Sequence, residues 1–157
     1  ELWILGNNDK NFAKSIVSLK KNNIFLEKID EFKLPDIYNQ SKLFCLPTLE
    51  DSGPVVTLQA MACGLPVIST KYSIAPDLIN DEQEGFIVEP SDVKTISEKI
   101  KFLYDNPIIA LKMGKKARKK IEENFTWDHT SKKILDFCKE KNLRAKRGIF
   151  VWGYPKK

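Results

Sequence analysis

Short apolar runs alternate with helically spaced apolar positions through the first ninety or so residues. Leu2–Leu5 reads as a strand, and Asn11–Lys20 as a helix with Phe12, Ile16 and Leu19 on one side. Ile24–Leu26 is the next strand, Leu34–Gln40 a short helix, and Leu43–Leu46 a strand stopped by Pro47. A helix follows over Val55–Cys63, ended by Gly64, and Pro66–Ser69 and Gly85–Val88 are two further strands. Strands this continuously apolar are buried on both faces, as a parallel sheet covered by helices requires. The alternation predicts an α/β fold, a Rossmann-like parallel sheet with helices on both faces. Leu43–Leu46 and Pro66–Ser69 are expected to be neighbouring buried strands, with Val55–Cys63 packed on one face.

Beyond Pro90 only helical spacing remains. Ser91 is placed to cap a helix from Asp92 to about Asn106, with Val93, Ile96, Ile100 and Leu103 at helical spacing. Pro107 opens a second helix, and Trp127 to about Lys141 forms a third, giving the α/β layer a helical C-terminal end. No internal repeat or low-complexity segment interrupts the order.

The 157 residues, 42% of them apolar, suit one domain of ordinary size and exclude a disordered chain. No apolar run approaches the ~18 residues that a membrane span needs. The opening Glu1–Gly6 has neither Met nor a basic segment, so no secretory signal is visible, and a strand-like start predicts a fragment that begins mid-domain. The net charge of +5 has a local origin. Six basic residues and no acidic ones lie from Lys141 to Lys157, leaving 20 basic and 21 acidic residues in the first 140. The body therefore has no basic face for nucleic acid. Lys115–Lys120 is a dense basic run, and Glu122 and Glu123 follow it at once, as on the solvated face of a helix. Cys45, Cys63 and Cys138 are odd in number and widely spaced, and read as small buried hydrophobes in a reducing compartment. With no Cys-x-x-Cys pair and a single histidine, His129, no zinc site is expected, and His129 reads as an ordinary surface residue.

The segment from Leu46 to Ile68 carries the chemistry. It is a strand, an acidic turn (Glu50, Asp51) and a helix N-terminus. Ser52 or Gly53 can act as N-cap, and Pro54 suits the first turn because its missing N–H would have had no partner there. In an open parallel sheet ligands bind beyond the carboxyl ends of the strands, and a helix N-terminus favours a phosphate. A pyrophosphate suits the helix end near Val55 and Val56. Gln59 lies one turn on, and helical side chains lean toward the N-terminus, so it can reach back to the same ligand.

The wording of this segment resembles the donor-binding half of retaining glycosyltransferases of family 4, which have the two-domain GT-B fold. Ala60–Ile68, reading Ala-Met-Ala-Cys-Gly-Leu-Pro-Val-Ile, matches their signature residue for residue. Asp51 falls on the first signature acid and Gln59 on the second, eight residues later, while Ser52-Gly53-Pro54 replaces a Gly-Phe-Gly turn. The similarity continues through Ile74–Ile79, Gly85–Pro90 and Phe125–Trp127. The resemblance implies one half of a GT-B fold that binds a nucleoside diphosphate sugar of UDP or GDP type, with no metal and no other cofactor. Asp51 would contact the donor sugar as the catalytic residue. Ser52, Gly53, Pro54, Val55, Val56 and Gln59 would bind the donor, Gln59 holding the ribose diol. The parent enzyme would move a sugar to a glycan or lipid hydroxyl, as in polysaccharide biosynthesis, from a cytoplasmic position that allows peripheral contact with the membrane.

Three departures bear on this expectation. The altered turn loses one N–H and one flexible residue. Ser73-Ile74 stands where the family has a Gly-Gly pair. The Arg and Lys that bind the donor pyrophosphate in the family lie upstream of the strand where this chain starts, as does the acceptor domain. Residues 1–141 are thus expected to be an N-terminally truncated donor-binding domain that is inactive alone. The alternative is a non-catalytic, degenerate nucleotide-sugar-binding or scaffold module. Residues 142–157 read as a basic linker and a strand-like tail, which either begins another domain or packs on this one.

Overall fold

The computed structural model describes residues 2–5, 24–27, 29–51, 53 and 55–141, with only the backbone considered over 24–27. The expected helix Asn11–Lys20, the turn residues Ser52 and Pro54, and the tail 142–157 lie outside the described residues. The chain divides into two compact units, Glu1–Lys119 and Lys120–Lys157.

The first unit is a parallel α/β structure. Strand β1 (Leu2–Leu5) pairs in parallel with β2 (Ile24–Glu27), Leu2 opposite Ile24. A 3-10 turn (Glu31–Lys33) leads into α1 (Leu34–Gln40). Strands β3 (Phe44–Leu46), β4 (Val67–Thr70) and β5 (Gly85–Val88) form a parallel sheet in that order, with Phe44 opposite Val67 and Val67 opposite Gly85. Helix α2 (Val55–Ala62) crosses from β3 to β4, and the four-residue α3 (Ala75–Leu78) lies between β4 and β5. Among the described residues no helix is long and apolar enough to cross a membrane.

Helices cover both faces of this sheet, as the alternation predicted. Successive residues of a strand point to opposite faces, and Phe44 and Cys45 enter different cores. Phe44 packs with Tyr38, Ala60 and Leu65, its ring meeting Tyr38 edge-on at 5.9 Å. Cys45 joins Ile68, Phe86, Val88 and Leu103 of α4 (Val93–Asp105), together with Ala110 and Met113 of α5 (Pro107–Asn124). β4 is buried throughout, whereas β3 is half-buried. The expectation that Leu43–Leu46 and Pro66–Ser69 are neighbouring buried strands is thus met in their pairing and for β4, and corrected for β3, which is half-buried. Cys45, Cys63 and Cys138 are half-buried rather than buried, and burial still pushes the Cys45 thiol up to about 11.

The end of α2 follows from its sequence. Gly64 takes a left-handed φ of 78°. Its N–H donates to the carbonyl of Met61 at 2.9 Å and that of Leu65 to Ala60 at 3.1 Å, a Schellman ending that a side chain at Gly64 would strain. The backbone of α5 passes so close that a Cβ on Gly114 would fall on the Gly64 carbonyl oxygen. Arg118 donates to the carbonyl of Ala62, satisfying a free C-terminal oxygen of α2. Helix α4 is capped by Asp92, not by Ser91 as predicted. The Asp92 carboxylate accepts from the Thr95 N–H at 3.0 Å and from its hydroxyl at 2.6 Å, a reach that Ser91 lacks one residue earlier.

In the second unit α6 (Trp127–Glu140) starts at the N-cap Thr126. The Thr126 hydroxyl accepts from the His129 N–H at 3.4 Å and lies 2.7 Å from its Nδ1. His129 is therefore a half-buried member of a helix cap rather than an ordinary surface residue.

Candidate functional site

The candidate site lies where β3 and β4 end. The chain leaving β3 first closes a small turn, the Thr48 hydroxyl donating to the Glu50 carbonyl at 3.1 Å and lying 3.3 Å from the Glu50 N–H. Asp51 closes the next one. One of its carboxylate oxygens accepts from the Gly53 N–H at 3.2 Å, an Asx-type contact that aims the chain into α2. A carboxylate has two oxygens and about four acceptor positions, so this contact leaves Asp51 able to accept from a ligand. Glu50 is exposed.

Helix α2 then presents its first turn. Val55 is exposed and Val56 half-buried, and the leading N–H groups of any helix lack intrahelical partners. Gln59 sits one turn further on, half-buried. Among the described residues its buried Oε1 has no hydrogen-bond partner, and neither has the hydroxyl of Thr57 in the same helix. Buried side-chain oxygens are normally paired. Gln59 thus carries an acceptor that the described residues leave unused.

The loop that holds these residues is tied to the chain leaving β4. The Thr70 hydroxyl donates to the Thr48 carbonyl at 2.7 Å, and the Asp51 N–H to the Tyr72 carbonyl at 3.1 Å. Ser69 donates to the Leu46 carbonyl at 3.2 Å and lies 3.0 Å from the Ser73 hydroxyl. Ser73, in the place of a family glycine, bonds the Thr70 carbonyl at 2.8 Å and caps the Ala75 N–H at 3.0 Å. At the rim Lys71 meets Glu89 at 2.6 Å, a pairing that raises the lysine pKa.

Of the predicted site residues, Asp51, Gly53, Val55, Val56 and Gln59 therefore share one turn and one helix, while Ser52 and Pro54 lie outside the described residues. Thr48, Ser69, Thr70 and Ser73 were not anticipated as part of the site. Their only signal in the sequence is that hydroxyl residues gather just after two apolar strands. A cavity of about 200 Å³ lies elsewhere, lined by Ser41 and Lys42 before β3 and by Gly64, Leu65 and Pro66 before β4. It opens at the amino ends of the strands, away from this site. Among the described residues no three His, Cys, Asp or Glu side chains are grouped to hold a metal ion.

Residues 1–120 match the family model described as glycosyl transferases group 1. The chain belongs to that family. A curated protein to which the chain is similar is the capsular polysaccharide biosynthesis glycosyltransferase CapM of Staphylococcus aureus, 33% identical over 107 residues. That alignment takes in 66% of this chain but 28% of CapM. Among solved structures, sucrose-phosphate synthase from Thermosynechococcus elongatus superposes with a TM-score of 0.81 at 20% identity, over 90% of this chain and 38% of that one. The Anabaena protein HepE, solved in complex with UDP-glucose, gives 0.75 at 16% identity, over 88% and 40%. At such identities these likenesses establish the fold, the parallel α/β layer expected for a glycosyltransferase of this group. The chain spans well under half the length of each of these proteins.

Proposed function

We propose that the chain is the donor-binding, C-terminal half of a family 4 retaining glycosyltransferase and that it binds a nucleoside diphosphate sugar at the mouth formed by Asp51–Val56 and Gln59. One observation carries the reading: the Gln59 Oε1 is buried and has no partner among the described residues, in the position where the family resemblance puts the ribose diol. A ribose hydroxyl would supply the missing donor. The pyrophosphate would lie against the first N–H groups of α2, where the helix dipole favours an anion by ~1 kcal/mol. Asp51 would keep its Gly53 contact and use a remaining lone pair for a hydroxyl of the donor sugar. The family resemblance supplies the retaining, metal-independent character, and it puts the acceptor glycan or lipid on residues outside these 157. On this reading the chain alone transfers no sugar, and its own affinity for UDP or GDP is of millimolar order, for which only ~4 kcal/mol is needed. A cytoplasmic enzyme in peripheral contact with the membrane is part of the same proposal.

A second reading, a binding module without catalysis, draws on the Asp51–Gly53 contact, which gives the carboxylate a structural use. A chemical-shift titration of the 157-residue chain with UDP and with GDP tests the site. Amide shifts confined to residues 51–59 are expected. Shifts mapping instead to the helices after Pro90, with 51–59 unmoved, overturn the assignment.

A further inference from the structure

The contacts between the two loops give a role to a buried residue outside the proposed ligand contacts. We infer that Thr70 is a positioning residue: through its hydroxyl it locks the turn bearing Asp51 to the end of β4, so that the site is formed before any ligand arrives. This rests on the donor-site reading for its consequence, though the lock itself is independent of it.

Thr70 is the last residue of β4 and is completely buried. β4 pairs with β3 on one side and β5 on the other, so its end is held by the sheet. From there the hydroxyl reaches the Thr48 carbonyl at 2.7 Å, close to the best distance for an O–H donor. Three residues after Thr48, the Asp51 N–H bonds the Tyr72 carbonyl, two residues after Thr70. The two bonds bracket Leu49 and Glu50, both exposed, which have little packing of their own to hold them. Ser73 restrains the other side by bonding the Thr70 carbonyl and capping Ala75, so the β4 loop cannot drift with the turn it holds. A loop fixed at both ends in its binding conformation loses less entropy when a ligand binds.

The side chain needed for this is narrowly defined. Valine has the shape of threonine but no donor, so Thr70→Val leaves the Thr48 carbonyl without its partner. Serine keeps the hydroxyl and loses only a methyl group, so Thr70→Ser should retain the lock. Amide hydrogen exchange and nucleotide titration of the full 157-residue chain separate the possibilities. For Thr70→Val we expect faster exchange at Asp51 and the amides beside it, with β4, β5 and α2 still protected, and several-fold weaker binding of UDP or GDP. For Thr70→Ser we expect both properties near those of the parent. Unchanged exchange at Asp51 in Thr70→Val overturns the inference. So does a uniform rise in exchange across the sheet, or a Thr70→Ser variant that behaves like valine, since either makes Thr70 a packing residue only. If Thr70→Val does not fold, Thr70→Ala, which also removes the hydroxyl, is read for the same local change at Asp51, and unchanged exchange there overturns the inference. If the parent chain binds neither nucleotide, the donor-site reading fails, and exchange at Asp51 still decides whether Thr70 holds the turn.

Discussion

Among the described residues the buried Oε1 of Gln59 has no hydrogen-bond partner, so Gln59→Glu places a carboxylate where none of them offsets it until a ligand arrives. The two states should respond in opposite directions. A neutral hydrogen bond contributes ~0.5–1.5 kcal/mol and one to a charged group ~1.5–3 kcal/mol. A carboxylate can also accept from both hydroxyls of a ribose, where the amide oxygen accepts and its nitrogen can only donate. Against this stands the desolvation of the new charge, which burial makes substantial. The balance leaves a gain of about 1 kcal/mol in nucleotide affinity, close to a fivefold lower Kd. The gain requires ionisation. Burial holds the introduced carboxyl above the ordinary glutamate value of about 4.3. The unfolded chain then ionises first, so the free variant loses stability relative to the parent as pH rises through that window. The affinity gain appears over the same rise. Calorimetric titration with UDP and GDP at about pH 5 and about pH 8, with urea melts at both, reads the two effects. Binding that is unchanged or weaker at the higher pH, in a variant that is folded there, would refute the assignment of Gln59 to the ribose.

Two further predictions concern the scaffold. Gly114→Ala should destabilise the chain, because the cost of forcing a Cβ onto the Gly64 carbonyl, ~1–3 kcal/mol or more, exceeds the ~1 kcal/mol that alanine gains over glycine in a helix. A urea midpoint that rises in Gly114→Ala would show that the approach of α5 to the α2 ending is looser than described. Cys45 should make stability fall in alkali. Its thiol is pushed from 9.0 to about 11 by burial, so the unfolded chain ionises first and stability is lost as pH rises between those values. Urea melts should lose stability more steeply in the parent than in Cys45→Ala over that range, and parallel slopes would exclude a buried, protonated thiol at position 45.

The elements and the candidate turn were legible because their signals are local. Continuous apolar runs such as Val67–Ile68 announce buried parallel strands wherever they occur, and Gly64 ends α2 by a backbone conformation that its own sequence provides. The wording around Ala60–Ile68 likewise identified the group before any distance was known, since a signature is a property of the sequence alone. Other features depended on what lies across space. Asp92 caps α4 because of where the backbone places the Thr95 N–H, a difference of one residue that the apolar pattern cannot resolve. β3 and β4 look alike as sequences, yet β4 is buried throughout and β3 only in part, a difference that the packing around each strand decides. The Thr70–Thr48 bond joins residues 22 positions apart. Nothing in either neighbourhood marks a serine or threonine as the donor to a distant carbonyl. The sequence by itself determined the group and the chemistry and order of the residues that the proposal assigns to a nucleotide. Only the tertiary structure decided which of them are held in place, because a hydrogen bond between two loops requires the sheet that brings their strands together.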